Sequence, residues 1–210
     1  MSWSLSSLGT WEQCGLKYKL KYVDKISDRP SEAAARGTDN HALIEAYLKG
    51  EVAILPSVLS FYQSFLSGLK LYPVFPEHRI ALDKNWSLVD WKDGWFRCVL
   101  DLKLIDGTGA VVYDWKTGKM YDDHYDQKEL YALAVLSENP EITRVRSVHV
   151  YLDLNKHTER TYERSDLISR RQGWENRVSK MEADKEYIPN PSWKCRFCSF
   201  SKFKGGPCQF

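Results

Sequence analysis

The sequence predicts an α/β protein, a short mixed β-sheet flanked by helices. Runs rich in β-branched and aromatic residues at 77–82, 87–91, 95–105 and 110–117 read as strands. Helical patterns stand before and after them, a long one at 165–183. The turn Asp106-Gly107-Thr108-Gly109 joins the last two of these runs as a hairpin. A chain of 210 residues with 43% hydrophobic content can bury a sizeable core and is most economically one domain, residues 1–210. Its net charge of +2 does not by itself point to a nucleic-acid partner.

Ser4 caps a first helix expected to run to about residue 23. A polar loop around Asp28-Arg29-Pro30-Ser31 precedes a second helix, whose inward stripe is Ala34, Gly37, His41, Ile44 and Leu48. A third helical pattern covers 57–71, after which Pro73 and Pro76 break the chain. Beyond the strands, a helix starts near Asp122 or Asp123 and ends before Pro140, with Gln127, Tyr131 and Ala134 on one face. Residues 145–152 alternate like a strand and pair with 160–163. The helix at 165–183 presents Leu167, Trp174, Val178 and Met181 as its apolar stripe. The loop Pro189-Asn190-Pro191-Ser192 then delivers a cysteine-bearing tail.

The hairpin carries the chemistry. If it folds symmetrically about Gly107-Thr108, residues whose numbers sum to 215 face one another, which sets Asp101 opposite Asp114. Opposed side chains stand roughly 4.5–5.5 Å apart, and like charges placed so destabilise a sheet unless a cation lies between them. Lys116 shares the face of Asp114, because strand side chains alternate. For an arbitrary Asp-x-Lys a solvated ion pair is the ordinary reading. Against it, Asp101 stands between Val99-Leu100 and Leu102, where a solvated carboxylate is out of place. Two carboxylates suit a hard divalent cation that leaves room for phosphate oxygens. Such a cation polarises a phosphodiester and acidifies water, and Lys116 is placed to orient or deprotonate that water or to balance developing charge.

The ordered series Asp101, then Tyr113-Asp114-Trp115-Lys116-Thr117-Gly118-Lys119, then Gln127-x-x-x-Tyr131 resembles the PD-(D/E)XK nucleases, and within them the RecB-like branch. The resemblance implies a restriction-endonuclease-like core, metal ligation by Asp101 and Asp114, a catalytic role for Lys116, and active-site or DNA contacts from Gln127 and Tyr131. Upstream, Arg36-Gly37-Thr38-Asp39-Asn40-His41 resembles the first motif of that branch, a Gly-x-x-x-His segment on a helix. Position alone makes His41 a hydrogen-bonded core residue; the resemblance makes it a metal ligand. Glu45, one turn on, is either a supporting group or solvated. Glu77 matches a further acid near the metal in some relatives. Ser4-Leu5-Ser6-Ser7-Leu8 is similar to the Ser-x-Ser-x-Leu opening of RecB-like proteins.

Five cysteines without disulfide spacing, signal peptide or membrane-spanning run indicate a reducing, cytoplasmic setting and no membrane partner. Cys195, Cys198 and Cys208 form an incomplete tetrahedral set, for which Cys14 is the fourth candidate. Four thiolates suit Zn²⁺ or an iron–sulfur cluster, and spacing alone leaves both open. One cysteine near the start and three near the end resembles the iron–sulfur RecB-like nucleases, including the AddB nuclease domain and the CRISPR-associated RecB-like exonucleases. That resemblance implies a [4Fe–4S] cluster joining the N-terminal segment to the 189–210 tail. Cys98 is assigned to packing.

Basic clusters at Lys17, Lys19, Lys21 and Lys25, at Arg170 and Arg171, and at Lys194, Arg196, Lys202 and Lys204 are interleaved with Trp11, Tyr18, Tyr22, Trp193, Phe197 and Phe203. Alone each reads as a solvated face; together they suit phosphates and unpaired bases. No Gly-x-x-x-x-Gly-Lys-Ser/Thr loop occurs, so a nuclease without its helicase motor is expected. The leading expectation is a stand-alone Mg²⁺- or Mn²⁺-dependent DNA exonuclease acting on ends or single strands. Its setting would be recombination, repair or phage DNA processing in a bacterial or phage-infected cell, with a recombination or replication protein as partner. The competing readings are a structure- or site-specific endonuclease and a non-catalytic zinc-containing DNA-binding module.

Overall fold

The computed structural model describes residues 2–28, 32–120 and 125–210, with the backbone alone at 32–34. The helices are α1 (Leu5–Gln13), α2 (Gly15–Tyr18), α3 (Glu32–Lys49), α4 (Gln63–Leu69), α5 (Tyr125–Glu138) and α6 (Leu167–Ala183). The strands are β1 (Val74–Leu82), β2 (Phe96–Asp106), β3 (Gly109–Lys116), β4 (Arg144–Tyr151) and β5 (Lys156–Glu163). These elements group into two compact units, Glu32–Arg171 and a second made of Trp3–Ser31 with Gln172–Phe210.

In the larger unit the strands pair in chain order. Every neighbouring pair is antiparallel except β3 with β4, which run parallel. A parallel pair needs a crossover, and α5 supplies it. The β2–β3 hairpin has the expected register, from Leu102 opposite Tyr113 to Asp106 opposite Gly109. Gly107 takes the left-handed φ of +58° that this tight turn requires. Ile44 and Leu48 of α3 and Leu66 and Leu69 of α4 pack with Leu102, Leu104, Tyr113, Trp115, Val148 and Val150 to form a core. The α5 helix touches all five strands and buries Leu130, Leu133 and Ala134 completely.

Local departures from the expected elements have identifiable causes. Residues 57–62 form a 3₁₀ segment before α4 rather than one continuous helix. Pro76 does not end the chain's order but lies inside β1, tolerated because β1 is an edge strand. Residues 87–91 make only a single bridge, Leu88 to Leu82, followed by a 3₁₀ turn at Trp91–Asp93. The expected helix start at Asp122 or Asp123, part of the loop at 28–31 and the side chain of Ala34 lie outside the described residues.

In the smaller unit Ser4 caps α1 as expected, and Ser7 returns the bond in a capping box. The helix does not continue to residue 23. Cys14 adopts an extended backbone (φ −167°, ψ 114°), and α2 resumes beyond it, ending in a π-helical turn at Lys19–Val23. Trp11 donates to Asp184 Oδ2 at 2.7 Å, and Arg177 forks onto Glu12. A Cβ on Gly15 would come within 2.9 Å of the Tyr187 carbonyl carbon, so only glycine lets the chain before the tail pass so close. That approach brings Asn190 beside Cys14.

Candidate active site

Asp101 sits where both ladders of β2 are interrupted. Pro76 pairs with Leu102 and His78 with Leu100, so Glu77 stands opposite Asp101 on one side, and the hairpin register sets Asp114 opposite it on the other. Three carboxylates thus line one row across β1, β2 and β3. Glu77 escapes regular pairing through a left-handed φ of +48°, unusual for a residue with a side chain. Its effect is visible on either side: Phe75 and His78, three residues apart, meet ring to ring at 5.8 Å, although an unbroken strand would send them to opposite faces. Lys103 locks this kink by bonding His78 Nε2 and Glu138 Oε2, each at 2.8 Å.

The His41, Glu77 and Asp101 ligand atoms lie within 4.8 Å of one another, the only such group of three or more among the described residues. His41 Nε2 donates to the Trp115 carbonyl at 2.7 Å, which leaves Nδ1 facing Asp101 Oδ2 at 3.4 Å. This arrangement makes Nε2 the donor and turns Nδ1 toward Asp101, where it could also meet a cation. The Trp115 N–H in turn donates to Asp101 Oδ2 at 2.8 Å, so one residue of β3 orients both ligands through its backbone. Burial opposes a charge on His41, but Asp101 and the Trp115 carbonyl outweigh it and raise the imidazole's pKa. Burial also raises Glu77, reinforced by the charges of Asp101 and Glu45.

Asp114 is 4% exposed and belongs to an adjoining network. Gln127 Nε2 donates to Asp114 Oδ1 at 2.7 Å and to the Tyr131 hydroxyl at 3.0 Å, while Gln127 Oε1 accepts from Lys116 at 2.7 Å. Lys116 Nζ is ion-paired to Asp114 Oδ2 at 2.6 Å, yet that oxygen has no well-directed hydrogen bond. A buried carboxylate oxygen with an open lone pair fits a cation in reach. Burial and the charge of Asp101 push the Asp114 carboxyl up to about 6, against the pull of Lys116 and His41. Burial likewise raises the Tyr131 hydroxyl well above its usual value.

All the hairpin and helix residues singled out in the sequence therefore meet in the larger unit. The tightest ligand group places Glu77, the further acid expected from the resemblance, beside His41 and Asp101, while Asp114 of the expected ligand set lies in the lysine–glutamine network. The β1–β2 register decides Glu77, and a long connection between those strands hides that register from the sequence. Glu45 pairs with Lys49. Cys98 is buried as assigned, with its thiol pushed up by burial.

The model of the PD-(D/E)XK nuclease superfamily matches residues 2–203, and the chain belongs to that superfamily. Its nucleases use divalent metals such as Mg²⁺ or Mn²⁺, and the His41–Glu77–Asp101 group is a site of matching donors. Among solved structures, the chain is similar to a protein named "putative exonuclease" from Eubacterium rectale, with TM-score 0.50, 12% identity, and 94% of this chain and 85% of that one covered. It is also similar to SSO0001, with TM-score 0.47, 13% identity, and 100% of this chain and 87% of that one covered. No curated protein matches. No described helix is long and apolar enough to cross a membrane.

In the smaller unit Cys14, Cys195, Cys198 and Cys208 all line one cavity of about 30 Å³. Backbone N–H groups donate to two of the sulfurs, Asn190 to Cys14 at 3.4 Å and Ser192 to Cys195 at 3.3 Å. Of the aromatic residues expected to meet bases there, Tyr18 is buried, whereas Trp193, Phe197 and Phe203 are exposed. Lys19 and Lys21 are taken up by Asp24 and Asp28.

Proposed function

We propose that this nuclease is a RecB-like, divalent-metal-dependent DNA exonuclease acting on ends or single strands. The observation that carries the reading is the convergence of His41, Glu77 and Asp101 beside the Asp114–Lys116–Gln127 network. His41, Glu77 and Asp101 would hold a divalent cation, which would supply Lewis-acid polarisation of the scissile phosphate and acidify water. Lys116 holds Asp114 in its anionic form and presents an ammonium to the attacking water or the phosphate. Gln127 fixes the Lys116 amine and the Asp114 carboxylate through one set of hydrogen bonds, and Tyr131 steadies Gln127 from the same helix face. Trp115 aligns His41 and Asp101 through its backbone carbonyl and N–H.

The test is a digestion series with Mg²⁺ or Mn²⁺ on end-labelled single- and double-stranded DNA. Asp114→Ala is expected to abolish cleavage while DNA binding survives; unaltered cleavage would remove the assignment. Cutting of a covalently closed single-stranded circle would favour the endonuclease alternative over exonuclease action.

We also propose, from the cysteines sharing one cavity, a second metal group that would draw their sulfurs together on binding. The four side chains share one small space, and the N–H···S bonds are of the kind that stabilise thiolates and tune their clusters. Four thiols are the ligand number of a [4Fe–4S] cluster or of Zn²⁺, and Cys14, Cys195, Cys198 and Cys208 would be the ligands, although no three of their sulfurs lie within 4.8 Å of one another. Such a group would supply a structural tie between Cys14 and the tail. Anaerobic purification is expected to give a brown protein absorbing near about 400 nm; a colourless protein with stoichiometric zinc would reject the cluster in favour of Zn²⁺.

A further inference from the structure

Lys128 follows Gln127 on α5, yet it takes no part in the network above. Its side chain is 4% exposed, a depth at which an ammonium ordinarily has a carboxylate partner. Among the described residues its hydrogen-bond partner is the neutral Thr158 hydroxyl, at 2.5 Å, on β5. Its Nζ also lies 5.8 Å from the centre of the Tyr125 ring. Burial lowers its pKa, and the cations of Arg160 and Lys116 add to that; Asp114 pulls the other way. Glu129, the next residue on α5, binds Arg170 at 2.5 Å.

Arg160 continues the line outward from Lys128. It is exposed on β5, 5.8 Å over Tyr125 and 5.6 Å over Tyr162. Tyr125 itself is 57% exposed. The succession Lys116, Lys128, Arg160 therefore runs from the reacting carboxylates to the rim of the sheet, with an accessible ring beside it. Among the described residues this ammonium has no carboxylate bonded to it, so it adds positive potential beneath that rim. Phosphodiester oxygens spaced along a strand supply anions for such a rim, and a tyrosine face accepts an unpaired base.

We propose that Arg160 and Tyr125 form a strand-guiding subsite, with the buried ammonium of Lys128 beneath it adding positive potential. Arg160 would take the phosphate neighbouring the one cut, and the attached base would stack on Tyr125. The inference rests on the nuclease reading and narrows its substrate to a single-stranded chain of several nucleotides, in contrast to duplex or to a small phosphodiester.

Two measurements test it separately from that reading. The first is fluorescence anisotropy of an oligothymidylate about a dozen nucleotides long, in EDTA, over a range of salt. The second is Mn²⁺-dependent hydrolysis of bis(p-nitrophenyl) phosphate, which is too small to reach the subsite. Because Lys128 is buried, the exposed pair Arg160→Ala with Tyr125→Leu is the primary variant and Lys128→Met the second. The exposed pair is expected to lose about tenfold or more in oligonucleotide affinity and to flatten the salt slope by roughly 0.7, one released counterion's worth. Its chromogenic hydrolysis should stay within about twofold of the parent. Unchanged oligonucleotide affinity overturns the subsite, and so does an equal loss on the small substrate. A parent protein that binds the oligonucleotide through these residues but hydrolyses neither substrate would instead sink the nuclease reading and leave the subsite standing.

Discussion

Replacing Asp114 by asparagine should stabilise the metal-free protein while destroying its function. The carboxyl is held at about 6 in the fold against an ordinary 3.8. Each tenfold change in acidity corresponds to about 1.4 kcal/mol, so the ionised form is disfavoured by up to about 3 kcal/mol once both states are deprotonated. The sign is the reverse of the usual carboxylate case. Between pH 3.8 and about 6 the folded protein binds the proton more tightly than the unfolded chain does, so stability falls as pH rises through that window. Asp114→Asn carries no such penalty at any pH. The amide copies the protonated acid imperfectly, and the expected gain in EDTA at pH 8 is about 1–3 kcal/mol, roughly 2–10 °C in melting temperature, vanishing near pH 4. Thermal unfolding followed by circular dichroism from pH 4 to 8 measures it. With Mn²⁺ present the order should narrow or invert, because the cation stabilises only the parent's carboxylate. A variant less stable than the parent at pH 8 in EDTA would refute the account of a cation-starved carboxylate row.

The remaining expectations concern the same cluster. His41, Glu77 and Asp114 all hold protons more tightly than usual, so Mn²⁺ must displace some of them; calorimetry in buffers of different ionisation enthalpy should show proton release that diminishes from pH 6 to 8. The His41 contribution to metal-free stability has the same direction, present below its ordinary 6.5 and lost as pH rises through its raised value. Glu77→Gln should weaken Mn²⁺ binding by at least about tenfold, whereas Glu45→Gln, removing a partner of exposed Lys49, should change it less than about threefold; equal effects would take Glu77 out of the ligand group. Lys116→Met should lower kcat by about 10²–10⁴ with Mn²⁺ affinity nearly kept, and a change confined to metal binding would count against its role toward water or phosphate.

What the sequence discloses is governed by distance along the chain. The two-residue turn at Gly107-Thr108 fixes the β2–β3 register, so the opposition of Asp101 and Asp114 follows from residue numbers alone. The helix periodicity likewise puts Gln127 and Tyr131 on one face, where they are hydrogen-bonded to each other. Glu77 depends on a register set by tertiary packing between β1 and β2, and its left-handed backbone has no local marker such as glycine. Lys128 is equally hidden, because only β5, reached through α5 and β4, shows that its ammonium meets a hydroxyl rather than an acid. The expectation of an uninterrupted first helix fails for a related reason. Cys14 has no helix-breaking character of its own, and its extended backbone reflects the approach of Asn190 from the far end of the chain.

The kink at Glu77 and the raised carboxyls of Glu77 and Asp114 have one origin. Regular pairing would have stacked three acids in a row across adjacent strands, where neighbouring like charges oppose sheet formation. The chain accommodates this in two ways: Glu77 turns out of its ladder, and the carboxyls of Glu77 and Asp114 hold protons more tightly than ordinary carboxyls. The Lys103–His78–Glu138 clasp ties the kinked strand to α5 beside the row. A divalent cation held by His41, Glu77 and Asp101 would offset the charge that drives both adjustments, and this donor set would favour a hard, doubly charged ion.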